Sequence, residues 1–365
     1  MRATPIPIAR PFVGEEEEAA AREVLRSGWL MQGPKVAEFE QAFAARVGAS
    51  EAVAVSSGTT AIALALVALG VAAGDEVICP SLSFIATANA IVHAGAKPVF
   101  ADVDPRTLNL DPESVRVAIT PRTRAILAVH QLGLPAELDA LLALSREHGL
   151  ILVEDAACAI GASYHNLPIG RPHGAAACFS FHPRKILTTG EGGMITTADP
   201  ALAARLRALR NHGLDGGAYP AVGFNARMTD LQAAIGRVQL GRLDAFLESR
   251  RAQAARYQAA LASVDGLALF QPPADRAPNF QSYVVRVRAG RKARDQVMAT
   301  LADEGIATRP GVMAAHREPA HAGFATAALP HTERAADETL ALPIFFQLTG
   351  EEQDQVIAAL ERAVK

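Results

Sequence analysis

Between residues 52 and 154 the chain repeats one pattern, a short continuous apolar run followed by a segment of helical length. The runs are Ala52–Val55, Glu76–Cys79, Lys97–Ala101, Ala125–Val129 and Ile151–Glu154, with helical segments at Ala61–Leu69, Ile85–Ala94 and Ala136–His148. A strand with one wet face alternates polar and apolar residues, whereas a strand buried on both faces reads as an unbroken β-rich run. The repeat therefore predicts an α/β fold with a mostly parallel central sheet covered by helices. Before it, residues 15–47 read as two helices interrupted at Ser27-Gly28-Trp29 and Gln32-Gly33-Pro34, with Glu15–Glu18 as an acidic first turn. After it, Met194–Thr197 reads as a returning strand and Met228–Leu247 as one long helix crossing towards a smaller α+β domain. A chain of 365 residues, half of them hydrophobic, is long enough to divide in two. The expected units are 1–249, a large domain with an N-terminal helical segment, and 250–365, a small C-terminal domain. The small one should hold a helix to Leu261, a strand Ser282–Val287, a helix near Ala293–Glu304 and a last helix from Glu351.

Composition removes several classes of function. The net charge is −3 and no Lys/Arg stripe exists, which argues against a nucleic-acid partner. Cys79, Cys158 and Cys178 have no CxxC spacing, which argues against structural zinc and a disulfide framework and fits a reducing cytoplasm. The longest apolar stretch, Ala61–Ala73, is too short to span a bilayer, and no secretory signal precedes the first helix. A cytoplasmic protein with no membrane association and no metal is expected.

Lys185 carries the chemical argument. It ends Phe179-Ser180-Phe181-His182-Pro183-Arg184-Lys185 and leads into Gly190-Glu191-Gly192-Gly193, thirty residues after a strand that stops at Asp155. An amine on a glycine-flanked loop, with a carboxylate at an upstream strand end, is what pyridoxal 5'-phosphate (PLP) chemistry requires. The amine forms a Schiff base with the cofactor aldehyde, and the carboxylate keeps the pyridine nitrogen protonated. Ser56-Ser57-Gly58-Thr59-Thr60 sits at a strand-to-helix turn, where free amides and hydroxyls suit a phosphate, although an ordinary N-cap accounts for the same residues. Phe84 follows another strand and can stack on a planar ring, or simply belong to the core. Ser180 can donate to a phosphate oxygen, and His182 is a neighbouring polar contact.

Taken together, SGTTA, CPSLSF, LVEDAACAIGA, FSFHPRK with GEGG, GFNARMTDLQAAIGRVQL and LPIFFQLTGEEQDQVI resemble the DegT-type nucleotide-sugar aminotransferases, of fold type I in the aspartate aminotransferase superfamily. The resemblance covers nearly the whole chain. It implies that Lys185 bonds the cofactor, Asp155 meets the pyridine nitrogen, Phe84 stacks on the ring, and Ser57, Gly58, Thr59 and Ser180 cradle the phosphate. It implies that Asn225 reaches the phosphate from a neighbouring subunit, in a homodimer with shared sites. Cys158 stands where the family often has Gln or His against the cofactor's phenolic oxygen, so that contact is weakened here. Gly174-Ala175 replaces a common Gly-Asp, which removes a structural hydrogen bond. The implied reaction passes an amino group from an amino acid, glutamate by expectation, through the pyridoxamine (PMP) form to a nucleotide-linked keto-deoxysugar. Trp29, His182, Arg309 and His316 are candidate substrate contacts. Competing readings are a dehydratase of the same fold, whose branch replaces the lysine with histidine, and a non-catalytic PLP-binding regulator. Lys185 counts against the first, and Lys185 with Asp155 against the second.

Overall fold

The structure, a computed structural model, describes residues 5–324 and 327–365. Helices α1 (Glu15–Ser27) and α2 (Pro34–Val47) lead into β1 (Glu51–Val55), followed by α3 (Gly58–Ala68), β2 (Glu76–Pro80), α4 (Ala86–His93) and β3 (Lys97–Ala101). Next come α5 (Pro112–Ala118), β4 (Thr123–Val129), α6 (Leu138–His148) and β5 (Ile151–Asp155). Short β6 (Ser163–Tyr164) and β7 (Leu167–Pro168) precede β8 (Ala176–Ser180) and β9 (Gly193–Thr197), then α7 (Pro200–Leu209), α8 (Asp230–Gly241) and α9 (Leu243–Leu261). The remainder is β10 (Leu267–Leu269), β11 (Arg276–Ala277), β12 (Tyr283–Val287), α10 (Gly290–Asp303), β13 (Arg309–Pro310), α11 (Pro330–Glu338), β14 (Thr339–Leu342) and α12 (Gly350–Ala363).

The central sheet has seven strands in the order β1-β9-β8-β5-β4-β2-β3. The pairings from β3 through β2, β4 and β5 to β8 are parallel. Only β9 runs against its neighbours β8 and β1. Both faces are dry, as continuous apolar strands require. Ala52 and Ala54, Ile126 and Ala128 join a core with α2 and α6 side chains such as Phe39, Phe43 and Leu141. Val53, Val55 and Leu127 point the other way, into a core with Ile62, Leu64 and Leu66 of α3 and Ile91 of α4. A four-stranded antiparallel sheet, β10-β12-β14-β13, forms a further core with Tyr257, Leu301 and Leu360 from α9, α10 and α12.

The single long helix expected over Met228–Leu247 is two helices. Thr229 caps α8 through a capping box with Gln232, so the helix begins later than expected. Gly241, a weak helix former, ends it, and at Arg242 the backbone takes φ −93 and ψ −2. The second helix, α9, runs unbroken across residue 250, with Phe246 and Leu247 in the first core and Ala254 and Tyr257 in the third. It is a structural member of both halves. Among the described residues no helix is long and apolar enough to cross a membrane.

Asp230 joins the N-terminal helices to this frame. Its buried carboxylate accepts from the amides of Gly33 (2.7 Å), Val36 (3.0 Å) and Lys35 (3.2 Å), the otherwise unpaired first turn of α2. Asp230→Ala should therefore lower unfolding free energy by roughly 2 kcal/mol, since buried donors lose their acceptor. Urea denaturation checks this, and a change within about 0.5 kcal/mol, the range of surface substitutions, would contradict the assigned role.

Candidate active site

Parallel strands present their carboxyl ends at one edge of a sheet, and this chain places its polar groups there. Asp155 ends β5 almost wholly buried, at 5% exposure. Its Oδ2 accepts from Thr87 Oγ1 at 2.8 Å and its Oδ1 from the Ala157 amide at 3.1 Å. Burial pushes the carboxyl above the ordinary aspartate range, while Thr87, the Ala157 amide, Lys185 and His130 oppose that rise without cancelling it. Lys185 lies on the irregular segment between β8 and β9, its Nζ 3.1 Å from Cys158 Sγ. The structure brings Lys185, Asp155 and Cys158 into one neighbourhood, together with Thr87, which sequence reading missed, 68 residues from the carboxylate it bonds.

The turn from β1 to α3 closes on the ends of β8 and β9. A Cβ on Gly58 would stand 2.6 Å from Ser180 Cβ, and one on Gly193 would stand 2.4 Å from Ser57 O, so both glycines permit contacts that no other residue would. The Ser57 hydroxyl is the N-cap of α3, accepting from the Thr60 amide at 3.1 Å, which is the simpler of the two roles open to it. The amides of Gly58 and Thr59 have no partner among the described residues, and Ser180 Oγ adjoins them. Unclaimed amides at a helix N-terminus beside a hydroxyl fit a phosphate.

The other candidates fall at different distances from this centre. Phe84 follows β2 with 69% of its surface exposed, outside the core and available to a planar ring. His182 is half-buried and its Nδ1 accepts the Arg184 amide at 3.1 Å, which shapes the turn before Lys185. Asn225 is exposed and does not cap α8, because Thr229 does. The neighbouring Ala226 carbonyl takes the Ser56 amide at 2.9 Å, which sets Asn225 near the β1–α3 turn. Arg309 shares a pocket with Arg184, Gln281 and Ser282. Its Nε is buried with no hydrogen-bond partner, and burial with Arg184 lowers its pKa. Trp29 is half exposed, and its Nε1 donates to Gln32 O at 3.3 Å. His316 is engaged within the chain, with Nδ1 2.7 Å from Ser81 Oγ and Nε2 3.4 Å from Glu333, so it fastens its turn to the end of β2.

A lysine, a buried carboxylate, an exposed aromatic ring and an unclaimed phosphate cradle at one sheet edge fit PLP. Comparison with known proteins agrees. The model of the DegT/DnrJ/EryC1/StrS aminotransferase family matches residues 11–361. The chain belongs to that family. The spore coat polysaccharide biosynthesis protein SpsC of Bacillus subtilis is 41% identical over 380 residues, covering 99% of this chain and 97% of SpsC. DesV of S. venezuelae, solved with a ketimine intermediate, superposes with a TM-score of 0.94 at 38% identity, over 100% of this chain and 99% of DesV. DesI, solved in the presence of its TDP-sugar product, gives 0.93 at 37% identity, over 99% of this chain and 93% of DesI. The fold is fold type I and the protein is a PLP-dependent aminotransferase.

In this aminotransferase a second carboxylate stands beside the first. Glu154 is fully buried and accepts from His130 Nε2 at 3.0 Å, the His173 amide at 3.0 Å and the Gly174 amide at 3.1 Å, with His173 Nδ1 3.6 Å away. These bonds secure the turn before β8 at the position where a family aspartate is missing, since Ala175 offers only its amide, to Leu152 O. Burial alone would raise the Glu154 carboxyl, yet the two histidines outweigh it and hold it at about 2. A carboxyl depressed in the native state stabilises the fold above its ordinary value of 4.5 and loses that contribution as pH falls towards 2. Glu154→Gln should therefore be less stable at neutral pH and should show a flatter decline between pH 4.5 and 2, read from urea midpoints of cofactor-free protein. Parallel curves for the two proteins would exclude the linkage. Asp155, raised rather than lowered, contributes a slope of opposite sign and is common to both.

Proposed function

We propose that this aminotransferase transfers an amino group from an amino acid, glutamate, to the carbonyl of a nucleotide-linked keto-deoxysugar, as a cytoplasmic homodimer whose two sites are each completed by the partner. The observation that carries the reading is the convergence of Lys185, Asp155 and the unclaimed Gly58 and Thr59 amides at one sheet edge in a chain of this family. The relatives named for polysaccharide biosynthesis and a TDP-sugar product support a sugar acceptor. Three unpaired thiols are consistent with the cytoplasm. We also keep the division at residue 250 as a proposal, with α9 as the element shared by the large and small units.

Bound PLP supplies an electron sink that lets an amino group and a proton exchange between donor and acceptor carbons. Gly58, Thr59 and Ser180 would hold its phosphate, Phe84 would stack on its ring, and Asp155 would give the negative charge that a protonated pyridine nitrogen needs. Thr87 keeps that carboxylate oriented from behind. Lys185 Nζ, 3.1 Å from Cys158 Sγ, would hold the cofactor and would carry the proton at the reacting carbon. Arg309, whose Nη2 donates to Ser282 Oγ at 3.4 Å and whose guanidinium meets no carboxylate among the described residues, lies beside Arg184 and is suited to an anionic group of either substrate. Trp29, His182 and His316 then act at the margins, the histidines chiefly by shaping turns.

Lys185→Ala should retain bound cofactor and lose turnover by at least about a thousandfold, since nucleophile and proton carrier go together. Glutamate should convert the wild-type visible absorbance, and a panel of nucleotide keto-sugars should restore it. Failure of every keto-sugar after clean conversion by glutamate would sink the acceptor assignment. The shared site is tested by mixing subunits. Lys185→Ala and Asn225→Ala chains, each poor alone, should recover activity in a tagged heterodimer, because both lesions fall in one composite site and leave the other intact. A confirmed heterodimer no more active than its parents would contradict it.

A further inference from the structure

Lys185 stands on a segment with no helix or strand, yet its amine has to return to one position in every turnover. Beyond the local turn at His182, which takes the Lys185 and Arg184 amides, the hydrogen bonds that flank it come from a distant part of the chain. Gln281, buried between β11 and β12, accepts the Ile186 amide on Oε1 at 3.1 Å and donates from Nε2 to the Arg184 carbonyl at 2.6 Å. One side chain therefore grips the backbone on both sides of Lys185. Two residues earlier, fully buried Asn279 donates from Nδ2 to the carbonyls of Cys158 and Ile160, both at 2.8 Å, and its Oδ1 accepts the Gln281 amide at 2.8 Å. The Asn279 amide also reaches Gly133 O at 3.2 Å, where a Cβ on Gly133 would collide with the asparagine.

The tripeptide itself is held in turn. Phe280 takes a left-handed φ of +52, uncommon for an aromatic residue, which turns the side chains on either side of it towards the two loops. Buried Arg250 of α9 donates from Nη1 to the carbonyls of Phe280 (3.1 Å) and Gln281 (3.2 Å). The backbones beside Lys185 and at Cys158 are thus held by residues 281 and 279 of one strap, anchored on α9.

We propose that Gln281 is a positioning residue for the aminotransfer reaction, acting with Asn279 to hold the Lys185 loop against the Cys158 loop. The inference rests on the reading of Lys185 as the reacting amine. A purely structural glutamine would support folding and leave the lysine's rate unaffected.

The test compares wild type with Gln281→Leu, which removes both bonds at similar volume, and Gln281→Glu, which keeps the acceptor for Ile186 and loses the donor to Arg184. Hydrogen exchange by mass spectrometry on cofactor-free protein should show the 183–188 peptide exchanging at least about tenfold faster in Gln281→Leu, with α9 and β12 unchanged. In the loaded enzyme kcat should fall about a hundredfold with KM within about threefold, as expected of a displaced reacting group. Gln281→Glu should fall between. In a Lys185→Ala background supplied with a small exogenous amine, adding Gln281→Leu should cause no further loss, because its effect passes through the lysine. Unchanged exchange at 183–188, or a lower melting temperature with kcat intact, would overturn the proposal. If Gln281→Leu does not fold, the same readouts on Gln281→Glu decide it. Full turnover by Lys185→Ala alone would also overturn it, and would locate the fault in the reading of the lysine rather than in the clamp, which hydrogen exchange reports separately.

Discussion

A carboxylate kept out of water at the end of β5 is the constraint around which this structure is arranged. Desolvation raises Asp155, and a neutral acid there could not serve a protonated ring nitrogen, so donors and a cation must be brought to it. Sheet topology does most of this. Since β9 is antiparallel to both β1 and β8, those two strands are parallel to each other, and their carboxyl ends share the edge where β5 stops. The first turn of α3, Ser180 and the segment after β2 are delivered to Asp155 by strand direction alone. Thr87 follows because α4 starts on that segment, and its hydroxyl links Ser83 to the carboxylate through contacts of 2.8 Å each.

Glu154 and Asp155 show how neighbours of similar chemistry diverge. Alternation along the strand sends them to opposite faces. Glu154 meets two amides and two imidazoles and is held low, whereas Asp155 meets one amide and one hydroxyl and remains high. The low one fixes the turn into β8. The high one is left with affinity for positive charge, the property required of a cofactor partner.

Much of this was legible in the sequence for a definite physical reason. Strands buried on both faces must be continuously apolar, so the parallel core announced itself, and residues at strand ends such as Asp155, Gly58 and Ser180 inherited their positions from it. Short strands of two to four residues, β10, β13 and β14, have no periodicity to read. The break at Arg242 is invisible to apolar patterning because Gly241 lies inside an otherwise helical run. Ser57 and His316 were recognisable as polar groups near the right turns, but whether a hydroxyl caps a helix or faces a ligand depends on geometry. Thr87, Asn279 and Gln281 act on groups 68, 121 and 95 residues away, and no local signal marks such partners.

Lys185, the amine of the proposed site, is not placed by strand direction. In the proposed reaction Lys185 needs mobility, since the same nitrogen would bind the cofactor and then carry a proton, and a lysine fixed in a strand could not do both. A loop supplies that freedom at the risk of losing the backbone's position. Asn279 and Gln281 answer this by fixing main-chain atoms of the two loops, and neither of them bonds the lysine side chain, whose Nζ meets Cys158 Sγ. The strap and Arg309 come from the sequence after residue 250, and the pocket they line also takes Ile8 and Arg184 from before it. Gln281 thus touches both the backbone on either side of Lys185 and the pocket that Arg309 lines.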